Sequence, residues 1–368
     1  MDEYDVRQFV GIDLHRQRSV IVRQSESGDQ LSAVRIVNDP AALRLELERA
    51  GTDPEVVLEA TYGWYWAVDV LRDCGAQVHL AHPLGVKGFR YRRVKNDVRD
   101  AGDLADLLRM GRLPEAWIAP PQTRELRELV RYRAKLVAIR SGLKAQVHAV
   151  LAKAGVLITV SDLFGVGGRQ RLAKVPLGAA YAERVRSLLE LIDVLDGHEA
   201  RFAGLIAKRL CNHRGYQALQ QVPGIGPVLA AVFVAEIGDV HRFPGPAQLT
   251  CWAGLTPSHH ESDTTVRRGR ITKQGSCLVR WAAIESVKSL PEYQSHRRDP
   301  RPGGSSPRQP QHRRRGRRPK TVAARLLRAA RSPHPCAAPP TPRGVRSQTR
   351  SVADRAGHDP RTRRGRPL

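Results

Sequence analysis

A mixed α/β domain, followed by long helices and a small, mainly α domain, is the fold class that this sequence predicts, and three observations predict it. Short apolar strand-like runs alternate with amphipathic helical runs over residues 1–120. From Thr123 the apolar residues recur instead at three- and four-residue steps. Beyond Pro291 the composition turns to Arg, Pro, Gly and Ser with hardly an aromatic, which denies that stretch a packed core. The expected divisions are 1–120, 121–212, 213–292 and a disordered basic tail over 293–368.

The first run, FVGIDL, passes through HRQR into SVIVRQ, and LSAVRIV follows at 31–37. This reads as three antiparallel strands with polar turns at 14–18 and 24–30. Asp39 and Pro40 then open a helix that Gly51 stops. The carboxylate caps the first N–H groups, and proline, lacking its own, fits the first turn. VVLEA (56–60) is a short buried strand, GWYWAVDVLRDCGA a helix and QVHLAHP (77–83) another strand. A helix from about 97 to 111 completes the layer, and Pro114, Pro120 and Pro121 mark the exit. Leu126, Val130, Leu136, Leu143, Val147 and Leu151 then form one apolar helical stripe. After the break FGVGGRQRLAKVPLG comes a second amphipathic stretch, YAERVRSLLELIDVLDGHEARFAGLIAKRL. The pair predicts a long antiparallel helical hairpin joined by a compact loop, and apolar faces of this length need a partner. At 219–237, LQQVPGIGPVLAAVFVAEIGD has the pattern of a helix-hairpin-helix. Gly224 and Gly226 permit a tight turn, and the next helix N-terminus offers N–H groups to a DNA phosphate. The plain alternative is a helix turn with a glycine C-cap.

The chain carries a formal charge of +25, unevenly spread. From Ser295 to Leu368 there are 21 Lys or Arg against 3 Asp or Glu, whereas residues 1–294 hold 40 against 33. Nucleic acid is the expected partner, because neutralising phosphates releases counterions. Five scattered cysteines (Cys74, Cys211, Cys251, Cys277, Cys336) with no C-x-x-C pair argue against a disulfide framework or a zinc site. The opening MDEYDVRQ has no signal-peptide character, and no apolar run approaches the ~20 residues of a membrane span. A soluble, cytoplasmic, nucleoid-associated protein is expected.

Four acids carry the chemistry. Asp13 lies inside the first strand, Glu59 ends the strand VVLE, and Asp97 and Asp100 stand three apart on one face of a helix start. A ribonuclease H-like fold needs acids at these places. Hard divalent cations want clustered oxygen ligands, and paired metals activate one phosphate oxygen while stabilising another. Taken singly, each acid reads equally as a solvated surface charge. Placement selects them, because a charge flanked by apolar strand residues is expensive unless paired or bound to metal. The second constellation is GLTPSHHESDTTVRRGRITKQGS (254–276), where hydroxyls run into Arg267, Arg268, Arg270 and Lys273. Either a serine attacks a phosphate whose oxygens the cations hold, or the loop only binds backbone phosphates. His259 and His260 are open to reading as base, phosphate donors or a solvated turn.

With these residues in view, the chain resembles the RNA-guided DEDD transposases of bacterial insertion sequences. These combine a RuvC-like domain, a coiled-coil insert and a C-terminal serine domain. The resemblance rests on GIDLH, LEATYGWYW, VKNDVRDAGDLADLLR, VPGIGPVLAAVFVAEIGDVHRFPGPAQLTCWAGLTPS and RRGRITKQG, spread over residues 8–285. It implies that Asp13, Glu59, Asp97 and Asp100 are a catalytic tetrad binding Mg²⁺ (or Mn²⁺). Ser262, five residues after the proline of GLTP, falls on the nucleophile that forms a covalent phosphoserine link to DNA. It further implies a structured non-coding guide RNA and action as a homo-oligomer, a dimer or tetramer. The chain departs from the family where Glu261 and Asp263 flank Ser262, acids that would repel a phosphate, and in its Arg/Pro-rich tail, whose abrupt onset suggests a shifted reading frame. Two other functions fit the same residues: a Holliday-junction-type endonuclease that hydrolyses through water, and an inactive nucleic-acid-binding remnant.

Overall fold

The computed structural model describes residues 7–89 and 96–289; the expected tail at 293–368 and Cys336 lie outside them. The chain divides into two compact units, one up to Leu129 and one from Val130.

The first unit is built on a five-stranded sheet. β1 (Phe9–Leu14), β2 (Arg18–Gln24) and β3 (Gln30–Val37) run antiparallel, and α1 (Pro40–Glu48) then leads to β4 (Glu55–Glu59). α2 (Trp64–Asp73) and β5 (Gln77–Ala81) follow, then the short α3 (Pro83–Val86) and α4 (Asp97–Arg109). The spatial order is β3-β2-β1-β4-β5, with β4 parallel to β1 and β5 parallel to β4. This mixed sheet is compatible with the expected ribonuclease H-like domain. Asp39 caps α1 as expected, its Oδ2 accepting from the Ala42 N–H at 3.0 Å.

Strand alternation sorts the core into two layers. Val10, Ile12, Leu14, Val56 and Leu58 pack with Leu43 and Leu47 of α1 and Val68 and Leu71 of α2. Phe9, Val57 and Ala81 meet Leu104, Ala105 and Leu108 of α4 on the other face. Gly11 lets α4 come down onto β1: a Cβ there would lie 1.9 Å from the Ala101 carbonyl oxygen and 3.0 Å from the Ala105 nitrogen. Gly11→Ala is therefore expected to push the helix off the sheet at a cost of about 3 kcal/mol, read as a lowered denaturation midpoint of the first unit. A midpoint unchanged within a degree would show that the approach is not tight.

α5 (Pro121–Lys153) begins in the first unit and continues into the second, which adds α6 (Val166–Leu172) and α7 (Ala179–Leu210). Within the second unit α5 and α7 run antiparallel. Tyr132 meets Phe202 edge-on at 4.7 Å, and Arg140 pairs with both Asp196 and Glu199. Val147, Val150 and Leu151 pack with Val185, Leu188 and Ile192. The connection is more than a loop. It contains α6, pinned to α7 by a two-pronged Arg169–Asp193 pair at 2.8 and 2.5 Å. That pair holds the Asp193 carboxyl below, and the Arg169 guanidinium above, their ordinary pKa.

α8 (Arg214–Gln220), α9 (Pro227–Ile237), α10 (Pro246–Trp252), β6 (Pro257–Ser262), β7 (Thr265–Ile271) and α11 (Cys277–Lys288) complete the chain. α9 is apolar on all sides and buried from Leu229 to Ile237 apart from the half-buried Val234; its one charged residue, the buried Glu236, is held by Arg131 at 2.7 and 3.0 Å. His213 caps α8, its Nδ1 accepting from the Tyr216 N–H at 3.1 Å, and burial lowers its pKa below 6.5. A depressed folded-state pKa leaves the cap intact above 6.5 and loses it as pH falls through the lower folded value. Acidification from pH 7.5 to about 5 should thus cost the native protein on the order of 1 kcal/mol through this cap. His213→Asn, a cap without that charge, should flatten the slope in denaturant melts; an identical slope would absolve the histidine.

Candidate active site

The acids of the first unit collect at one end of β1. Alternation places Phe9, Gly11 and Asp13 on the α4 side, and His15, two residues on, continues that parity at the strand's end. β4 pairs in parallel through Gly11–Val57 and Ile12–Leu58, so the next residue, Glu59, stands level with Asp13 on the adjacent strand. Asp97 opens α4, whose N-cap Asn96 accepts from the Val98 N–H at 3.0 Å. Asp97 and Asp100 in that first turn suit the positive end of the helix dipole.

Two of the four expected acids converge with a residue that the sequence reading passed over. His15 Nε2 lies 3.1 Å from Asp13 Oδ2 and 3.6 Å from Asp97 Oδ1, and Arg35 stands 3.7 Å from Asp97 Oδ2. Ligand atoms of Asp13, His15 and Asp97 all lie within 4.8 Å of one another. Ligands sharing one ion at bonds of 2.0–2.1 Å stand about 3–4 Å apart, so a small side-chain adjustment closes the set. Two carboxylates and an imidazole are a donor set that suits a divalent cation, and the imidazole widens the choice towards Mn²⁺. Glu59 and Asp100, both half-buried, lie outside this triplet. Asp106, on the same helix, is drawn to Arg109 at 2.8 Å. The signal for His15 was present as D-x-H at the end of a strand, where continuing the period of two puts both side chains on one face.

In the second unit the expected serine loop is an exposed two-stranded ribbon. β6 and β7 pair through His259–Arg268, His260–Arg267, Glu261–Val266 and Ser262–Thr265, so Ser262 closes the ladder beside the turn. Asp263 forms that turn with φ +48°. Alternation puts Ser262, His260, Thr265 and Arg267 on one face and Glu261, His259, Val266 and Arg268 on the other. The bulge between Pro257 and His259 keeps Ser258 with the Ser262 face, where a Cβ on Gly269 would come within 2.3 Å of Ser258 Oγ. Glu261 therefore faces away from Ser262 and is held by His259, Nε2 to Oε2, at 2.9 Å. One of the two acids expected to repel a phosphate is thus turned aside, while Asp263 stays beside Ser262 in the turn.

Arg267, Arg268, Arg270 and Lys273 are exposed and make no ion pair among the described residues. Several arginines of α5 and α6 differ, Arg131 being taken up by Glu236, Arg133 by Glu199, Arg140 by Asp196 and Arg169 by Asp193. The ribbon's charge is thus available to a polyanion. Between α8 and α9 the chain turns at Gly224, whose φ of +85° favours glycine, and Gly226 precedes Pro227 with no side-chain cap. Gly226 is exposed and a Cβ there would meet nothing within 4 Å.

Comparison with known proteins gives two family matches in separate parts of the chain. A DEDD transposase model of the IS110 group, described as "Transposase", matches residues 10–155. A model described as "Transposase IS116/IS110/IS902 family" matches residues 216–299. The chain is similar to a Pseudomonas aeruginosa protein named "Probable family 20 transposase", 28% identical over 64% of this chain and 71% of that protein. It is also similar to the transposase for insertion sequence element IS1111A of Coxiella burnetii, 24% identical over 66% of this chain and 68% of the relative. The transposase for element IS1328 of Yersinia enterocolitica is 25% identical over 78% and 86%. Among the described residues no helix is long and apolar enough to cross a membrane.

Proposed function

We propose, for a chain that belongs to the IS110/IS116/IS902 family of DEDD transposases, site-specific DNA strand exchange through a serine nucleophile and an acidic metal centre. The observation that carries this reading is the convergence of Asp13 and Asp97 at the end of β1 in a transposase of this family. Asp13 and Asp97, with His15 beside them and Glu59 and Asp100 close by on β4 and α4, are the residues that would hold Mg²⁺ or Mn²⁺. A divalent ion bound there supplies Lewis-acid polarisation of a phosphate oxygen.

Ser262 attacks the DNA backbone and retains the broken phosphodiester as a phosphoserine, which preserves bond energy for rejoining. Its exposed place on a ribbon whose arginines have no ion pair among the described residues supports that role. Arg267, Arg268, Arg270 and Lys273 hold non-bridging phosphate oxygens, and the turn at Gly224 and Gly226 seats a further backbone phosphate as a helix-hairpin-helix would. The net positive body supports a second polyanion, a structured non-coding RNA that guides target choice. Action as a dimer or tetramer belongs to the same reading.

The test combines full-length protein, a donor and target DNA carrying the element's ends, the element's own non-coding RNA, and Mg²⁺. We expect a covalent peptide–DNA adduct at Ser262 that survives denaturation, followed by joined strands. Nicked DNA without an adduct would instead identify a water-using, junction-type endonuclease. Binding without cleavage at any divalent ion would identify a non-catalytic remnant.

A further inference from the structure

The ribbon carries two adjacent histidines, and its register separates them. His259 lies on the face opposite Ser262 and is engaged by Glu261 at 2.9 Å. His260 shares the Ser262 face, two residues back along β6 and directly across from Arg267. This face is exposed, and among the described residues no hydrogen bond or ion pair engages the imidazole of His260. Residues two apart on a strand are separated by about 6.6 Å, and side chains lean along the strand. An imidazole so placed shares the serine's face at a separation that one bridging water would span.

We infer that His260, and not His259, is the general base for Ser262. This rests on the reading of Ser262 as the nucleophile. As Ser262 Oγ bonds to phosphorus, its proton passes to the imidazole of His260. The bond from phosphorus to the departing deoxyribose oxygen breaks, and that oxygen takes a proton from solvent. Rejoining reverses the path: a deoxyribose hydroxyl attacks the phosphoserine and loses its proton to solvent, while His260 returns a proton to Oγ. Arg267, across the ribbon on the same face, is placed to hold a non-bridging oxygen during both steps. The His259–Glu261 pair takes no part in the chemistry and keeps the acid turned away.

The experiment measures the rate of adduct formation by full-length protein on cleavable DNA with Mg²⁺, beside a DNA-retention assay. His260→Gly is expected to slow adduct formation about a hundredfold with DNA retention kept, a typical loss for a general base. Added imidazole should restore a large part of the rate. His260→Gln, which keeps a side chain on the strand, should be equally slow and gain nothing from imidazole. His259→Gly should stay within about threefold of the parent. Rates near the parent's in either His260 variant, or a His260→Gly loss that imidazole leaves untouched, overturn the assignment. Those results, together with an adduct that disappears in Ser262→Ala, refute the base while leaving the nucleophile standing. An adduct that persists in Ser262→Ala refutes the nucleophile, and the base with it.

Discussion

Ser262→Ala is expected to remove the covalent adduct and to depress strand exchange at least a thousandfold, about 4 kcal/mol of barrier. The argument is one of position. Ser262 stands fully exposed at the last pair of the β6–β7 ladder, so removing its hydroxyl empties no core and breaks no side-chain hydrogen bond among the described residues. The fold should therefore be untouched, with a thermal midpoint within about a degree of the parent. DNA binding should also persist, because Arg267, Arg268, Arg270 and Lys273 remain on the ribbon. A variant that binds but cannot link isolates the chemical step. Strand exchange at the parental rate would remove the serine from the mechanism.

The second large effect is expected at Asp13. Asp13→Asn keeps the shape of the side chain, 16% exposed at the end of β1, and removes one negative charge from the group that it forms with His15 and Asp97. A hard cation loses an anionic ligand, so affinity for Mn²⁺, measured by calorimetry or electron paramagnetic resonance, should fall more than tenfold, at least about 1.4 kcal/mol. Strand exchange should fall by about a thousandfold with it. Retained metal affinity with lost activity would mean that the ion sits elsewhere, and retained activity would dismiss Asp13 altogether.

Much of the first unit was legible along the chain. Period-two apolar runs marked β1, β2 and β3, Asp39 and Pro40 marked the start of α1, and Glu59 ends β4 as the run VVLE indicated. The second unit was harder to read. GVGGRQRL looked like a break because its three glycines weaken any helical signal, yet α6 forms there, tied down by Arg169 on Asp193. The stretch after GLTP was read as a loop because its strand positions hold His, Glu, Ser and Arg in place of an apolar alternation. A fully exposed ribbon has no buried face to announce it.

By itself the sequence determined the kinds of elements, their caps, the placing of acids at strand and helix ends, and a basic character suited to nucleic acid. Those properties are written within a few residues of one another, in periodicity and in the preferences of single side chains. Only the tertiary structure decided that His15 bridges Asp13 and Asp97, that Gly11 admits α4 against β1, and that Glu261 turns away from Ser262. Each depends on strand register or on a helix packing onto a sheet from far along the chain. Register turns on a single residue: a slip of one exchanges the two faces, and no local preference records which face a side chain will share with a distant partner.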